Sequence, residues 1–406
     1  MDVRAARPAS DPLPFAVCAL GLTQITAWGT SYYCLGVLAG PIATDLGWPT
    51  GLVYFGFTVA LLVMAAVSTW AGRAVDRWGG QAVMTTGTVL VTAGLFLLSL
   101  VRDETAYLAT WAFLGLGMRL CLYDAAFAAI VQVAPSRGRQ AISYLTLFGA
   151  FASTVFWVLG HYFNEAYGWR QTLQLFAAIH LAVCLPLNWL GLARREPAPK
   201  PAAATAAAED TAPLEGRGRR IGLVLFALVM SLNAFVFGVI TVQLVPLLEA
   251  AGLASATAVW VASTKGFAQF AGRVVEIAFG RRLHAMTVAR LAIGALPVSL
   301  AILLAAQGGF LAILAFTLVM GASQGVISIV RGAVPLALFG ARGYGAVLGL
   351  LATPIVLVNA AAPTAFAMIV DRWGWSAAEG VLFALALSAW VAVEAMTRWY
   401  RRQRAR

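Results

Sequence analysis

The sequence predicts an all-α membrane protein, with twelve transmembrane helices arranged as two six-helix bundles. Three observations carry that expectation. Hydrophobic residues make up 61% of the 406-residue chain and charged residues only 11%, against about 45–50% and about 25% in soluble domains. Apolar residues are gathered into runs close to the roughly 20 residues that cross a hydrocarbon core. One polar stretch rich in Pro and Ala divides those runs six and six. So few charges cannot coat a water-facing surface, which excludes a soluble enzyme, a secreted disulfide scaffold and a disordered protein. The mean hydropathy of +0.82 agrees.

The runs lie near 14–40, 50–71, 82–101, 106–133, 141–162 and 171–192, then 221–248, 255–279, 287–306, 309–333, 343–368 and 377–398. Residues 1–13 precede the first bundle, 14–192; a linker, 193–220, leads to the second, 221–398; a basic tail, 399–406, follows. The linker mixes charges and has no hydrophobic period, so it reads as a flexible connection. The halves echo each other. Ala71-Gly72-Arg73-Ala74-Val75-Asp76 returns as Ala271-Gly272-Arg273-Val274-Val275-Glu276, at the ends of the second and eighth runs. Parallel duplication of a six-helix unit marks a carrier whose site lies between the halves near the midplane.

The net charge of +11 suggests nucleic acid at first sight, yet 26 of the 28 basic residues are Arg placed between apolar runs. That is the pattern of loops retained on the cytoplasmic face, not of a phosphate-binding patch, and no nucleic-acid partner is expected. With both termini cytoplasmic, that face carries 23 Lys and Arg, the other only Arg102, Arg170 and Arg372, and Arg119 and Lys265 lie within runs. Cys18, Cys34, Cys121 and Cys184 sit in apolar stretches without metal-like spacing and read as core residues. No loop carries a nucleophile–base set or a ligand cluster, so no enzyme, catalytic residue, metal or cofactor is expected. The first run is too long for the apolar core of a signal peptide. A self-contained twelve-helix unit makes a monomer the default.

Gly72-Arg73-Ala74-Val75-Asp76-Arg77-Trp78-Gly79 matches the G-x-x-x-D-R-x-G signature of the major facilitator superfamily, which the whole chain resembles. The resemblance implies the major facilitator fold, with two bundles rocking about a central site. It also implies a cytoplasmic gate at Gly72, Arg73, Asp76, Arg77 and Gly79, joined by Glu276 at the equivalent place in the second half. Physically, the glycines permit a sharp turn and close helix approach, Asp76 sits just before the third run, where a carboxylate favours the positive N-terminus of that helix, and Arg77 can bridge to a neighbouring acid. Gly80 and Gln81 stand where the family usually has basic residues, so part of the latch is expected to be either weaker or replaced by Arg73. The fifth run, Gly149 to Gly160, lacks the Gly-Pro pair of drug–proton antiporters. Thr23 to Thr30, Gly149 to Thr154, Arg331-Gly332-Ala333-Val334-Pro335 and Gly343-Tyr344-Gly345 are similar to bacterial monocarboxylate-porter-like members, which include arsenite/antimonite exporter-like proteins. That resemblance implies a multi-pass protein of the bacterial inner membrane.

Ionisable residues deep in spans are costly and point to function. Arg119 in the fourth run lies roughly 20 Å below the outer edge, and Lys265 in the eighth roughly 15 Å, by the helix rise. A cation from each half at comparable depth is a clamp for a small anion, Arg119 through its planar fork and Lys265 as a point charge. The alternative for Arg119 is an internal ion pair with an acid such as Asp124, although on one continuous helix the two would point about 140° apart, which makes direct pairing poor. Asp124 is the candidate for proton coupling, its alternative being a structural acid that holds an arginine. Gln24, Tyr123, Asn233 and Gln324 complete the expected substrate site, with Gln269 and Asn359 near it; each could instead join neighbouring helices. His180 reads as a packed core residue. The expected function is secondary active transport of a small organic anion of the monocarboxylate type, coupled to protons. The alternative is efflux of trivalent arsenic or antimony, or of another toxic compound. A channel would require a selectivity filter, and none is evident.

Overall fold

The computed structural model describes residues 11–196, 213–306 and 309–404. The middle of the expected linker, 197–212, lies outside the described residues. Within them the chain is helical throughout, and its long helices are α1 (Pro12–Leu46), α2 (Thr50–Trp78), α3 (Gly80–Leu100), α4 (Glu104–Val133), α5 (Pro135–Gly191), α6 (Gly216–Ala250), α7 (Ser255–Phe279), α8 (Ala285–Leu304), α9 (Phe310–Phe339) and α10 (Tyr344–Arg404). All except α7 are long and apolar enough to cross a membrane; α7 carries Lys265, Arg273 and Glu276. The backbone leaves helical geometry at Gly168 inside α5 and at Gly374 inside α10, so each of these is two helices joined at a positive-φ glycine. Nine apolar helices, two internal breaks and α7 thus account for the twelve runs of the sequence.

Local chemistry sets the helix ends. Asp11 accepts from Leu13 N at 3.0 Å ahead of Pro12, which opens α1. The side chain satisfies an orphan first-turn amide, and proline at the first helical position removes another. Asp103 caps α4 in the same way through Ala106 N at 2.9 Å. Two interruptions matter for the site. Residues Trp28–Tyr32 of α1 form a π-helical turn, and α4 breaks at Leu122, whose ψ of −173° ends one helical segment at Cys121 before the next begins at Tyr123.

The two ends of the described chain, near Asp11 and Tyr400, lie at one end of the molecule. Arg137 pairs with Asp11 there, and Tyr400 stacks on His284, next to the Leu283 carbonyl that accepts from Arg139. The two halves share a buried core at this end, where Ile329, Ala333, Tyr344 and Leu348 pack with Ala71, Val75, Phe127 and Ile142. A Cβ on Gly72 would fall 2.1 Å from the Gly345 carbonyl oxygen, so α2 and α10 touch backbone to backbone. The rest of each half has its own core. A closed termini-bearing end beneath a central space is what this packing builds.

Candidate functional site

At the termini-bearing end the signature loop works through Asp76. Its carboxylate accepts from Gly345 N at 2.9 Å and Ala346 N at 2.7 Å, capping the first turn of α10 in the opposite half and not, as its place in the sequence suggested, the start of α3. Gly79 turns the chain at φ 86°. Gln132 holds the turn by accepting from Gly80 N and donating to Val75 O, both at 2.9 Å. Gly80 packs where a Cβ would stand 2.3 Å from the Ala129 methyl carbon, so no larger residue fits. Arg73 and Arg77 are exposed and make no ion pair among the described residues; Arg77 lies over Trp78 at 5.8 Å. Replacement of the latch by Arg73 is therefore not seen in this arrangement, because its side chain is exposed and meets no ion-pair partner among the described residues. Glu276 is buried and accepts from Ser143 Oγ at 2.9 Å and from Arg139 at 3.2 Å, tying α7 to α5 across the halves.

Above this closure lies a cavity of about 160 Å³. Tyr123 and the Arg119–Asp124 pair enter from α4, Trp28, Tyr32 and Tyr33 from α1, Asn233 and Phe237 from α6, Gln269 and Arg273 from α7, and Gln324 and Arg331 from α9. Asp124 is the one carboxylate in this lining. It accepts from Arg119, beside it in the first half, and from Arg331 of the second half at 2.9 and 2.6 Å. The expectation that Arg119 and Asp124 pair poorly is overturned, and the alternative of an internal ion pair is what the structure shows. The break at Leu122 rotates the two segments relative to each other, so the regular helical angle does not apply across it. Arg273 is also buried and is held by carbonyl and hydroxyl oxygens: it donates to Thr146 O at 2.8 Å, Ser328 Oγ at 3.2 Å and Gly325 O at 3.3 Å. Three guanidinium groups and one carboxylate thus line the same cavity, an excess of positive charge in a confined space.

Of the other expected site residues, Tyr123, Asn233 and Gln324 line the cavity. Asn233 Oδ1 and Gln324 Oε1 are buried without a partner among the described residues. Gln24 lies behind the wall, where it donates to the Cys121 carbonyl at 2.8 Å and accepts from Trp28 Nε1 at 3.2 Å, so it fixes Trp28. Lys265 is not part of the lining; its Nζ is 5.9 Å from the centre of the Phe237 ring. None of the four cysteines lines the cavity. Sequence reasoning assigned Arg273 and Arg331 to the loop side of the charge count, and the structure corrects this: both reach into the central space. The available signal was their position inside the runs 255–279 and 309–333. Trp28 packs against Tyr32 at 4.8 Å and Tyr123 at 5.0 Å, giving the cavity an aromatic wall.

A helical membrane carrier, with two bundles closed at one end over a charged central cavity, is the class this arrangement defines. The family model for the Major Facilitator Superfamily matches residues 21–272, and the chain belongs to that family. Its helices long and apolar enough to cross a membrane accord with that membership. Among curated relatives it is 29% identical over 204 residues to multidrug resistance protein MdtL of Shigella dysenteriae serotype 1 (strain Sd197), covering 50% of this chain and 51% of that protein. It is 27% identical over 172 residues to MdtL of Citrobacter koseri, covering 42% and 43%. The chain spans about half the length of the curated relatives it matches. Among solved structures it resembles the human organic anion transporter MFSD10 (TETRAN), with a TM-score of 0.72 at 17% identity over 94% of this chain and 99% of that one. The proton:xylose symporter XylE gives 0.70 at 13% identity over 94% and 95%. Both likenesses establish the fold.

Proposed function

We propose that this chain is a secondary transporter that moves a small organic anion, coupled to protons, by rocking two bundles (14–192 and 221–398) about the central cavity. The observation that supports it most is the Asp124 carboxylate gripped by an arginine from each half. A substrate carboxylate has the same charge and shape as that side chain. It can replace Asp124 on the forks of Arg331 and Arg119 when a proton neutralises Asp124 or the side chain swings away. With either carboxylate in place the halves stay bridged; a proton on Asp124 without substrate leaves the buried Arg119 and the half-buried Arg331 with no anion between them. Proton and anion therefore favour moving together. Tyr123, Asn233 and Gln324 offer hydrogen bonds, Gln24 steadies the Trp28 wall against the apolar body of the substrate, and Lys265 adds positive potential from behind Phe237. Gly72, Asp76, Gly79 and Glu276 form the gate, flanked by Arg73 and Arg77. The protein works as a monomer in the bacterial inner membrane, with both termini and the 193–220 linker in the cytoplasm.

The test is transport in liposomes loaded with a pH-sensitive dye. Monocarboxylates should move protons with the native chain and not with Arg119→Ala or Arg331→Ala. Arsenite accumulation with no response to any carboxylate would overturn the reading.

A second reading, efflux of toxic organic compounds, draws on the relatives named for multidrug resistance and on the aromatic wall of Trp28, Tyr32 and Tyr123. Protection of cells against such compounds, lost on substitution of Trp28 but kept by Arg331→Ala, would favour it. Within the alternative of metalloid efflux, the absence of cysteines from the lining argues against a thiol-based path.

A further inference from the structure

Val75-Asp76-Arg77-Trp78-Gly79, which closes α2, recurs letter for letter as Val370-Asp371-Arg372-Trp373-Gly374 inside α10. The two copies also share a local structure. Gly79 has φ 86° and ψ 151°, and Gly374 has φ 79° and ψ 172°. Arg77 lies 5.8 Å over Trp78, and Arg372 lies 5.6 Å over Trp373. The beginnings of the two helices match as well: α2 opens with Thr50-Gly51 and α10 with Tyr344-Gly345, so Asp76 stands 25 residues after Gly51 and Asp371 stands 26 after Gly345.

These helices are antiparallel neighbours from opposite halves. Gly72 abuts Gly345, Ser68 abuts Gly349, and Thr353 Oγ1 donates to Ala65 O at 3.2 Å. Each Asp-Arg-Trp-Gly therefore lies at the end of the pair where the other helix begins. At the termini-bearing end the contact is made, with Asp76 on the amides of Gly345 and Ala346. At the far end its counterpart is not. Asp371 is exposed and makes no hydrogen bond or ion pair among the described residues. The N-cap residue of α2, Pro49, offers the first-turn amides no side-chain acceptor, and a Cβ on Gly51 would meet nothing within 4 Å.

We infer that Asp371 and the first-turn amides of α2 at Thr50 and Gly51 form a second latch, which closes the far end when the Asp76 latch opens. A carboxylate at a helix N-terminus satisfies orphan amides and the positive end of the helix dipole. The same bond is thus offered at either end of one antiparallel pair, and a rocking motion that closes one end opens the other. A positive-φ glycine beside an Arg-Trp contact also ends a helix at Gly168; what sets this pair apart is the Asp at each end and its matched spacing from the start of its own helix.

Spin labels at Thr44→Cys and Ala377→Cys, both exposed positions flanking the far end, read its separation in full-length protein with Cys18, the exposed native cysteine, replaced by Ser. Without any substrate, the distance distribution should contain a wide and a narrow component. Asp371→Asn should deplete the narrow component about 10-fold, the scale of a hydrogen bond to a charged group. Asp76→Asn should enrich it, and Asp371→Glu should retain it. Asp371→Asn leaving the narrow component unchanged while Asp76→Asn alters it would overturn the inference. Because the readout uses no substrate, it stands or falls separately from the anion reading.

Discussion

Arg331 donates two hydrogen bonds to Asp124, at 2.9 and 2.6 Å, across 207 residues of sequence and from one half of the molecule to the other. The same carboxylate accepts from Arg119, so one acid holds a cation from each bundle at the centre of the molecule. Asp124 and Arg119 are almost wholly buried, at 7% and 4% exposure. Burying such charges is tolerable only with close partners, and removing one partner exposes the full desolvation cost of the other.

Arg331→Ala should reduce transport about 100-fold, within the 2–5 kcal/mol range for truncating one partner of a buried charge pair. Arg331→Lys keeps the charge and loses the fork, so it should recover only part of the rate. Initial uptake rates normalised to folded protein check both.

Asp124→Asn should separate exchange from coupled transport. With no titrating group between the arginines, substrate–substrate exchange across liposomes should persist, while accumulation driven by a pH gradient should be lost. Loss of both to the same degree would make Asp124 a structural acid only.

Gly72→Ala should destabilise the closed termini-bearing end by about 1–3 kcal/mol, the usual cost of overpacking, since its methyl would sit 2.1 Å from the Gly345 carbonyl oxygen. Gly51→Ala, which meets nothing, is the control and should change melting in detergent by no more than about 1 kcal/mol. Thermal unfolding of both variants checks the pair.

Arg137 holds the Asp11 carboxyl down to about 2, chiefly by its side-chain hydrogen bonds and with help from the Leu13 amide. The unfolded value is about 3.9, so the contribution is present above that pH and fades as pH falls from about 4 toward about 2. The melting difference between native protein and Asp11→Asn should be small, because the pair is exposed. It should be present at pH 6 and close as the buffer approaches pH 2. A difference independent of pH would contradict the assignment.

The apolar helices and the signature turn were legible because each has a sequence signal of its own: runs of apolar residues, and a glycine-flanked Asp-Arg. The site was only partly legible. Arg119 and Asp124 stood out as charges inside a span, but their pairing depends on a single backbone turn at Leu122, between residues that read as one unbroken helix. Arg273 and Arg331 were hidden by lying near span ends, where arginine usually marks a loop. Their inward reach depends on partners such as Thr146, 127 residues away, and Asp124, 207 residues away. Lys265 looked equivalent to Arg119 by depth, yet depth along a helix does not determine which face meets the cavity. Gln24 seemed a substrate ligand and instead supports the carbonyl of Cys121, just before the break.

Calorimetric binding of a small monocarboxylate to the purified protein, its Arg331→Ala variant and its Asp124→Asn variant tests the exchange of carboxylates most directly. If substrate replaces Asp124 between the two arginines, removing the internal competitor should tighten binding about 10-fold, on the scale of a charged hydrogen bond, and Arg331→Ala should abolish it. Binding that weakens in Asp124→Asn, or that survives intact in Arg331→Ala, would contradict a carboxylate site built on the arginines of both halves.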